Sequence, residues 1–264
     1  METEHFQITR EQAEAYEERF VPALFAQWVE PVLRAAALRP TDCVLDVATG
    51  TGVVARAAAE RVSDGGSVTG VDLNPAMLDV ARRMAPGIEW RQGDVASLPF
   101  DDESFDVVTC QAALFFLPDA TAALREMRRV ARSEGRVVVQ TFAGLSAQPA
   151  YGPWVEMVAR HAGPDAVRLL GTYWSEGDPA VMRTRCADAG LRIADLQEHV
   201  RPAYFPNVET MVLTEVNATP LRDRLDQQEL DRILAESHEV LGEFVQDGGL
   251  VVPLAGFVLQ AKRA

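Results

Sequence analysis

The sequence predicts an α/β fold with a largely parallel sheet covered by helices on both faces. Three observations predict it. Short apolar runs recur along roughly the first half of the chain, with few polar interruptions, as strands buried on both faces require. Segments with helical spacing separate them, so the pairing is parallel and the crossovers right-handed. The first run, VLDVATGTG at 44–52, breaks into a glycine-rich turn between strand and helix.

The elements follow in order. Residues 10–37 read as helix, because Tyr16, Phe20, Leu24, Trp28 and Val32 recur on one face; Pro22 is expected to divide it. Cys43 to Val47 is the first strand, and a helix over 52–62 follows the glycines. Ser67 to Val71 is a strand ending at Asp72, and Asn74-Pro75 caps and starts a helix to about Met84. Ile88 to Arg91 and Phe105 to Cys110 are strands. Asp119 caps a helix to about Ala131, Ser133-Glu134-Gly135 turns the chain, and Arg136 to Phe142 is the fifth strand. Beyond 143 the alternation loosens: residues 150–190 are helical and aromatic, Leu191 to Val200 is a strand, and 207–245 is helical with a break near Pro220. Asp247-Gly248-Gly249 turns into a last strand, Leu250 to Ala261. With no repeat, low-complexity tract or linker, the expectation is a single domain over 1–264. It comprises N-terminal helices (1–40), a core (41–142) and helical cap elements (150–190 and 203–248).

Composition narrows the function classes. The net charge of -14 disfavours nucleic acid, whose phosphates need a basic face, and anionic membrane surfaces. A small neutral or cationic partner fits better. Cys43, Cys110 and Cys186 are widely spaced and read as reduced thiols of a cytoplasmic protein. His5, His161, His199 and His238 are scattered, so no metal set is expected. The segment METEHFQITR is acidic and polar, unlike a signal peptide, and no apolar stretch approaches a membrane span. Lysine occurs once, at Lys262, amid abundant arginine, as a GC-rich bacterial genome would produce. Monomer and homodimer remain equally open.

The glycine turn carries the chemistry. Gly50-x-Gly52-x-x-Ala55 satisfies the looser dinucleotide fingerprint, which alone is weak. Asp46 argues against a pyrophosphate, which an adjacent carboxylate would repel. A cofactor carrying an ammonium and a sulfonium would be attracted instead.

VLDVATGTG, VTGVDLNPAML, GDVASLPF and FDVVTCQAALFFLPD, in this order, resemble the successive motifs of class I S-adenosylmethionine-dependent methyltransferases, in their UbiE-like small-molecule branch. LREMRRVARSEGRVVV resembles the helix and fifth strand of the same family. The resemblance covers about 40–142. It implies a Rossmann-like doubly wound sheet of seven strands, mostly parallel with an antiparallel last strand. It also implies S-adenosyl-L-methionine as cofactor and S-adenosyl-L-homocysteine as product.

Carried over by position, the resemblance assigns roles. Backbone at Ala48, Gly50 and Gly52 passes under the methionine part, with Ala48 standing where the family often has glycine. Asp46 orients the ammonium. Asp72 accepts from both ribose hydroxyls, which suits a carboxylate. Leu73 and Met77 flank ribose and adenine. Asp94, after Gly93, faces the adenine amino group, and Val95 supplies an N–H; Asp94 also fits a turn residue. Cys110 and Gln111 lie where the methionine end and the acceptor meet, and Gln111 also fits a strand cap.

The acceptor side is open. In-line methyl transfer needs positioning more than a dedicated nucleophile. Tyr16, Phe115, Tyr151, Trp154, Tyr173 and Trp174 are pocket candidates, with Phe116, Phe142, Tyr204 and Phe205 nearby in sequence. Each also reads as cap core, and Trp28 as packing. His161 and His199 are the weak candidates for a base; His161 has a sufficient explanation at a helix C-terminus. The expected function is transfer of methyl to O, N or C of a small organic molecule, in a bacterial secondary pathway. The alternative is a protein that binds the cofactor without transferring methyl, as a cyclase or sensor.

Overall fold

The computed structural model describes residues 8–63, 65–217 and 219–264; His5 and the METEHFQ segment lie outside them. The chain begins with α1 (Arg10–Ala15), a π-helical stretch (Tyr16–Phe25) and α2 (Ala26–Ala36). The alternation follows as β1 (Cys43–Val47), α3 (Val53–Ala59), β2 (Ser67–Asp72), α4 (Pro75–Met84), β3 (Glu89–Gln92), β4 (Phe105–Gln111), α5 (Ala120–Val130) and β5 (Ala131–Phe142). Then come α6 (Tyr151–Ala162), α7 (Asp165–Leu170), α8 (Pro179–Asp188), β6 (Leu191–Phe205), α9 (Val208–Asn217), α10 (Gln227–Val240), β7 (Val245–Gln246) and β8 (Gly249–Arg263).

The strands form one sheet in the order β3-β2-β1-β4-β5-β8-β6, with β7 paired on β8. Pairings among β1 to β5 are parallel, as the apolar runs predict. The strand count is eight rather than the expected seven, because the two residues of β7 pair antiparallel with Gly249 and Leu250 across the predicted Asp247–Gly249 turn. The doubly wound, mostly parallel arrangement with an antiparallel last strand is otherwise as read from the sequence.

Local chemistry explains the element bounds. Asn74 Oδ1 accepts from Ala76 N and Met77 N, with Pro75 in the first turn, so α4 starts where predicted. Asp119 caps α5 by accepting from Ala122 N. Along α5, Ala120, Ala123, Leu124, Met127 and Val130 form one buried stripe. They pack with Val108, Cys110, Val137 and Val139 of β4 and β5 in the main core. Burying Leu124 and Met127 fully contributes about 1.5–3 kcal/mol each.

Three expectations are corrected. Pro22 does not divide the first helix; it sits inside the π-helical turn, whose wider ring leaves room for a residue that cannot donate. Ser133–Gly135 is not a turn before the strand, since β5 already begins at Ala131, with a register irregularity between Phe105 and Val107 on its partner. The helix after the glycines is shorter than 52–62, ending at Ala59.

The chain divides into two compact units. The first holds the chain up to Thr141, Ala180–Glu198 and Phe257–Ala264; the second holds Phe142–Pro179 and His199–Gly256. Among the described residues no helix is long and apolar enough to cross a membrane.

Candidate active site

In the first unit, Asp46, Asp72 and the glycine turn stand at the C-terminal ends of β1 and β2. Asp46, next to last in β1, is buried. Its carboxylate accepts from Thr49 Oγ1 at 2.5 Å and Thr109 Oγ1 at 2.7 Å. Burial outweighs these bonds and pushes the Asp46 carboxyl up to about 6. Asp72 closes β2. Its Oδ2 accepts from Gly50 N and its Oδ1 from Asn74 N, both at 2.8 Å, so one carboxylate ties the glycine turn to the start of α4. Burial raises the Asp72 pKa against those bonds.

The turn needs left-handed backbone. Gly50 has φ +57° and Gly52 +88°, and Ala48 adopts φ 51° despite its β-carbon. A β-carbon at Gly50 would sit 3.8 Å from the Tyr16 ring, so Tyr16 lies directly over the turn. Tyr16 stacks on Phe25 with centroids 5.4 Å apart, and its hydroxyl pKa is raised by burial and by Asp72. Beside it, Glu17 pairs with Arg56 at 2.7 Å, and Arg56 also donates to Thr51 O, fastening the π-helical stretch to the turn.

Gly52 has a different reason. A β-carbon there would lie 2.3 Å from the Trp90 ring, and one at Gly70 2.4 Å. The indole fills the space that both glycines leave, so Gly52 makes room for packing as well as for the turn. Gly93 likewise faces Pro99 and Val71.

The remaining predicted cofactor positions separate. Leu73 is exposed at 37% and Met77 half-buried, on the surface beside Asp72. Asp94 is exposed and accepts from Ala96 N at 2.8 Å, the geometry of a turn residue, while Val95 is buried. Cys110, next to last in β4, turns its side chain into the core beneath α5, and burial, with Asp46 and Asp72 in electrostatic reach, raises its thiol pKa. Gln111 faces the other way and donates from Nε2 to Phe25 O at 2.9 Å.

The aromatic candidates fall into two sets. Phe115 is buried and Phe116 exposed in the first unit, with centroids 4.6 Å apart. In the second unit Tyr151, Trp154 and Trp174 are buried together, with Phe142 and Tyr173 against Trp174. Trp154 Nε1 donates to Ser237, and Tyr151 donates to Glu215 at 2.8 Å. Tyr204 is exposed and Phe205 buried. His161 is engaged with Glu236 at 2.6 Å at the end of α6; His199 lies half-buried in β6. Both histidines belong to the second unit, whereas Asp46, Asp72 and the glycine turn belong to the first.

Sequence reasoning missed Thr49, Thr109, Trp90, Gln140 and Glu215. The threonines were legible: Thr109 pairs in register with Asp46 on the neighbouring strand. No local pattern marks Trp90 or Glu215.

Residues 45–139 match a protein family described as methyltransferase domain. A demethylmenaquinone methyltransferase of Lactobacillus johnsonii is 36% identical over 116 residues, 42% of this chain and 48% of that protein. A ubiquinone/menaquinone biosynthesis C-methyltransferase of Xanthomonas oryzae is 38% identical over 127 residues, 46% of this chain and 50% of that protein. The chain thus spans about half the length of the curated relatives it matches. Among solved structures, the YcgJ protein of Bacillus subtilis aligns with TM-score 0.61 and 22% identity, over 89% of this chain and 97% of that one. The [4+2]-cyclase SpnF aligns with TM-score 0.58 and 18% identity, over 90% and 81%. At these identities the structures attest the fold alone.

Proposed function

We propose that the protein transfers a methyl group from S-adenosylmethionine to O, N or C of a small organic molecule; the match of residues 45–139 to a methyltransferase domain supports this reading. The observation that carries this reading is Asp46. A carboxyl buried beside a glycine turn, with threonine hydroxyls as its side-chain partners, suits a cationic ligand that would hold it ionised. The donor set fits the rest of S-adenosylmethionine. Asp72 would offer a carboxylate to ribose hydroxyls at the adjacent strand end, and Leu73 and Met77, exposed and half-buried just beyond it, an apolar surface to adenine. The left-handed turn at Ala48, Gly50 and Gly52 would carry the methionine part on its backbone, with Tyr16 beside Gly50.

When bound, the cofactor would supply an electrophilic methyl group on a sulfonium sulfur, for an acceptor atom that takes the methyl and gives up a proton. The chain's own part is to bind, orient and exclude water. The names of the two relatives above direct the first acceptor to try, a reduced quinone ring. We place the reaction in a bacterial cytoplasm.

Calorimetry with S-adenosylmethionine and S-adenosylhomocysteine, then transfer of labelled methyl to 1,4-naphthoquinol, tests the proposal. Micromolar binding of both and label in the acceptor support it. Binding without transfer to any acceptor leaves the second reading, a protein using the cofactor without methylation. No binding of either sinks both.

A further inference from the structure

Gln140, the third residue from the end of β5, is fully buried, yet neither its Nε2 nor its Oε1 has a hydrogen-bond partner among the described residues. The Oε1 of Gln111 is buried and unpartnered in the same way. The two residues are register partners on neighbouring parallel strands, so their side chains leave the same face of the sheet. Gln111 identifies that face, because its Nε2 reaches Phe25 O in the N-terminal helical segment.

The same register places the pair relative to the acid. Thr109, two residues before Gln111, is bonded to Asp46 Oδ1. Two residues of strand rise about 6.6 Å, so the amides stand one pleat beyond the Asp46–Thr109 row, toward the strand ends.

Burying a primary amide unbonded is costly, so a group kept that way calls for a role, catalysis among them. Gln140 presents two N–H donors and one carbonyl acceptor, and Gln111 a second acceptor. A hydroxyl, which both donates and accepts, engages a donor and an acceptor of this set at once; an alkyl group engages neither. We propose that Gln140, flanked by Gln111, recognises a phenolic or enolic hydroxyl of the methyl acceptor and is a specificity-determining residue. The inference rests on the reading that the chain methylates a small organic molecule.

Gln140→Met, close in volume and apolar, tests it. Without ligand the variant melts higher than wild type, by about 2–4 °C, because an unbonded amide is removed. Its affinity for S-adenosylhomocysteine stays within twofold. The KM for 1,4-naphthoquinol rises tenfold or more, with a smaller change in kcat. A variant that melts no higher, or fails to fold by circular dichroism, overturns the inference, because the amide is then satisfied and structural. A tenfold loss of S-adenosylhomocysteine affinity overturns it too, by giving the amide to the cofactor. If wild type leaves 1,4-naphthoquinol unmethylated, the reduced-quinone reading fails by itself. Melting and S-adenosylhomocysteine binding then still decide on Gln140.

Discussion

A carboxylate held between two threonine hydroxyls in a buried strand keeps its charge at a cost. For Asp46 the burial penalty exceeds the two bonds, and the folded value of about 6 lies above the ordinary 3.8. The fold therefore favours the protonated form. The stability this contributes is complete below pH 4 and is lost as pH rises through 6. A bound cation acts in the opposite sense, since it favours the ionised form. Affinity for S-adenosylmethionine should accordingly weaken as pH falls below 6, by up to about tenfold per unit. Asp46→Asn should lower affinity at pH 7.5, flatten that pH dependence and leave unliganded melting no lower. A titration series from pH 5 to 8 reads all three; a wild-type affinity flat across the range removes Asp46 from the cofactor. Ala48 poses a simpler question. Its φ of 51° is one that an L-residue adopts at a cost. Ala48→Gly should gain about 0.5–1 kcal/mol in urea unfolding, after glycine's greater unfolded-state entropy is subtracted. A loss would mean that the methyl packs better than its backbone angle suggests.

Among elements, α6 and α9 are joined by a polar contact inside an apolar unit. Tyr151 of α6 donates to Glu215 of α9, and burial pushes that carboxyl up to about 7 from 4.5. The sign is that of Asp46: the protonated acid is favoured, so stability is full below pH 4.5 and falls as pH approaches 7. Glu215→Gln keeps an acceptor for Tyr151 and removes the charge. It should be nearly neutral at pH 5 and stabilise by on the order of 2–3 kcal/mol at pH 8. Denaturant midpoints at the two pH values check this, and a variant weaker at pH 8 would show that the charge is compensated. What the sequence disclosed at this scale follows from range. Strands β1, β2 and β4 were legible because burial on both faces writes a continuous apolar run, and α4 and α5 because their caps are local. The π-helical turn was not, since Tyr16, Phe20 and Leu24 share a face in either winding. Nor was Trp90 against Gly52 and Gly70, a fit among residues far apart in sequence. Asp46 and Asp72 stand at the ends of apolar runs, so the sequence alone shows where they fall on β1 and β2. Alternation along β4 separates Cys110 from Thr109 and Gln111, so two-residue periodicity already puts its side chain on the core face.

At the scale of the molecule, every proposed cofactor contact lies in one of the two units. Tyr16, Asp46, the turn at 48–52, Asp72–Met77 and Gly93–Val95 all precede Thr141. The unit holds them with backbone bonds between neighbouring strand ends, such as Thr49 N to Val71 O and Gly93 N to Asp72 O, both 3.0 Å. A ligand there adds stability by mass action, about 2.7 kcal/mol at a concentration one hundred times its Kd. Hydrogen exchange should show where that stability goes. With S-adenosylhomocysteine in excess, amides of Thr49–Gly52, Leu73–Met77 and Asp94–Val95 should slow most. Turn amides open by local fluctuation and gain directly from a ligand over them, whereas the middles of β1 and β4 exchange only through larger openings. The net charge of -14 adds a second expectation, for it favours a cationic ligand over a neutral one at long range. The association rate of S-adenosylmethionine should therefore fall with added salt more steeply than that of S-adenosylhomocysteine, which lacks the sulfonium charge. Protection confined to 151–174 would place the ligand in the second unit instead, and the carboxylates of the first would need another purpose.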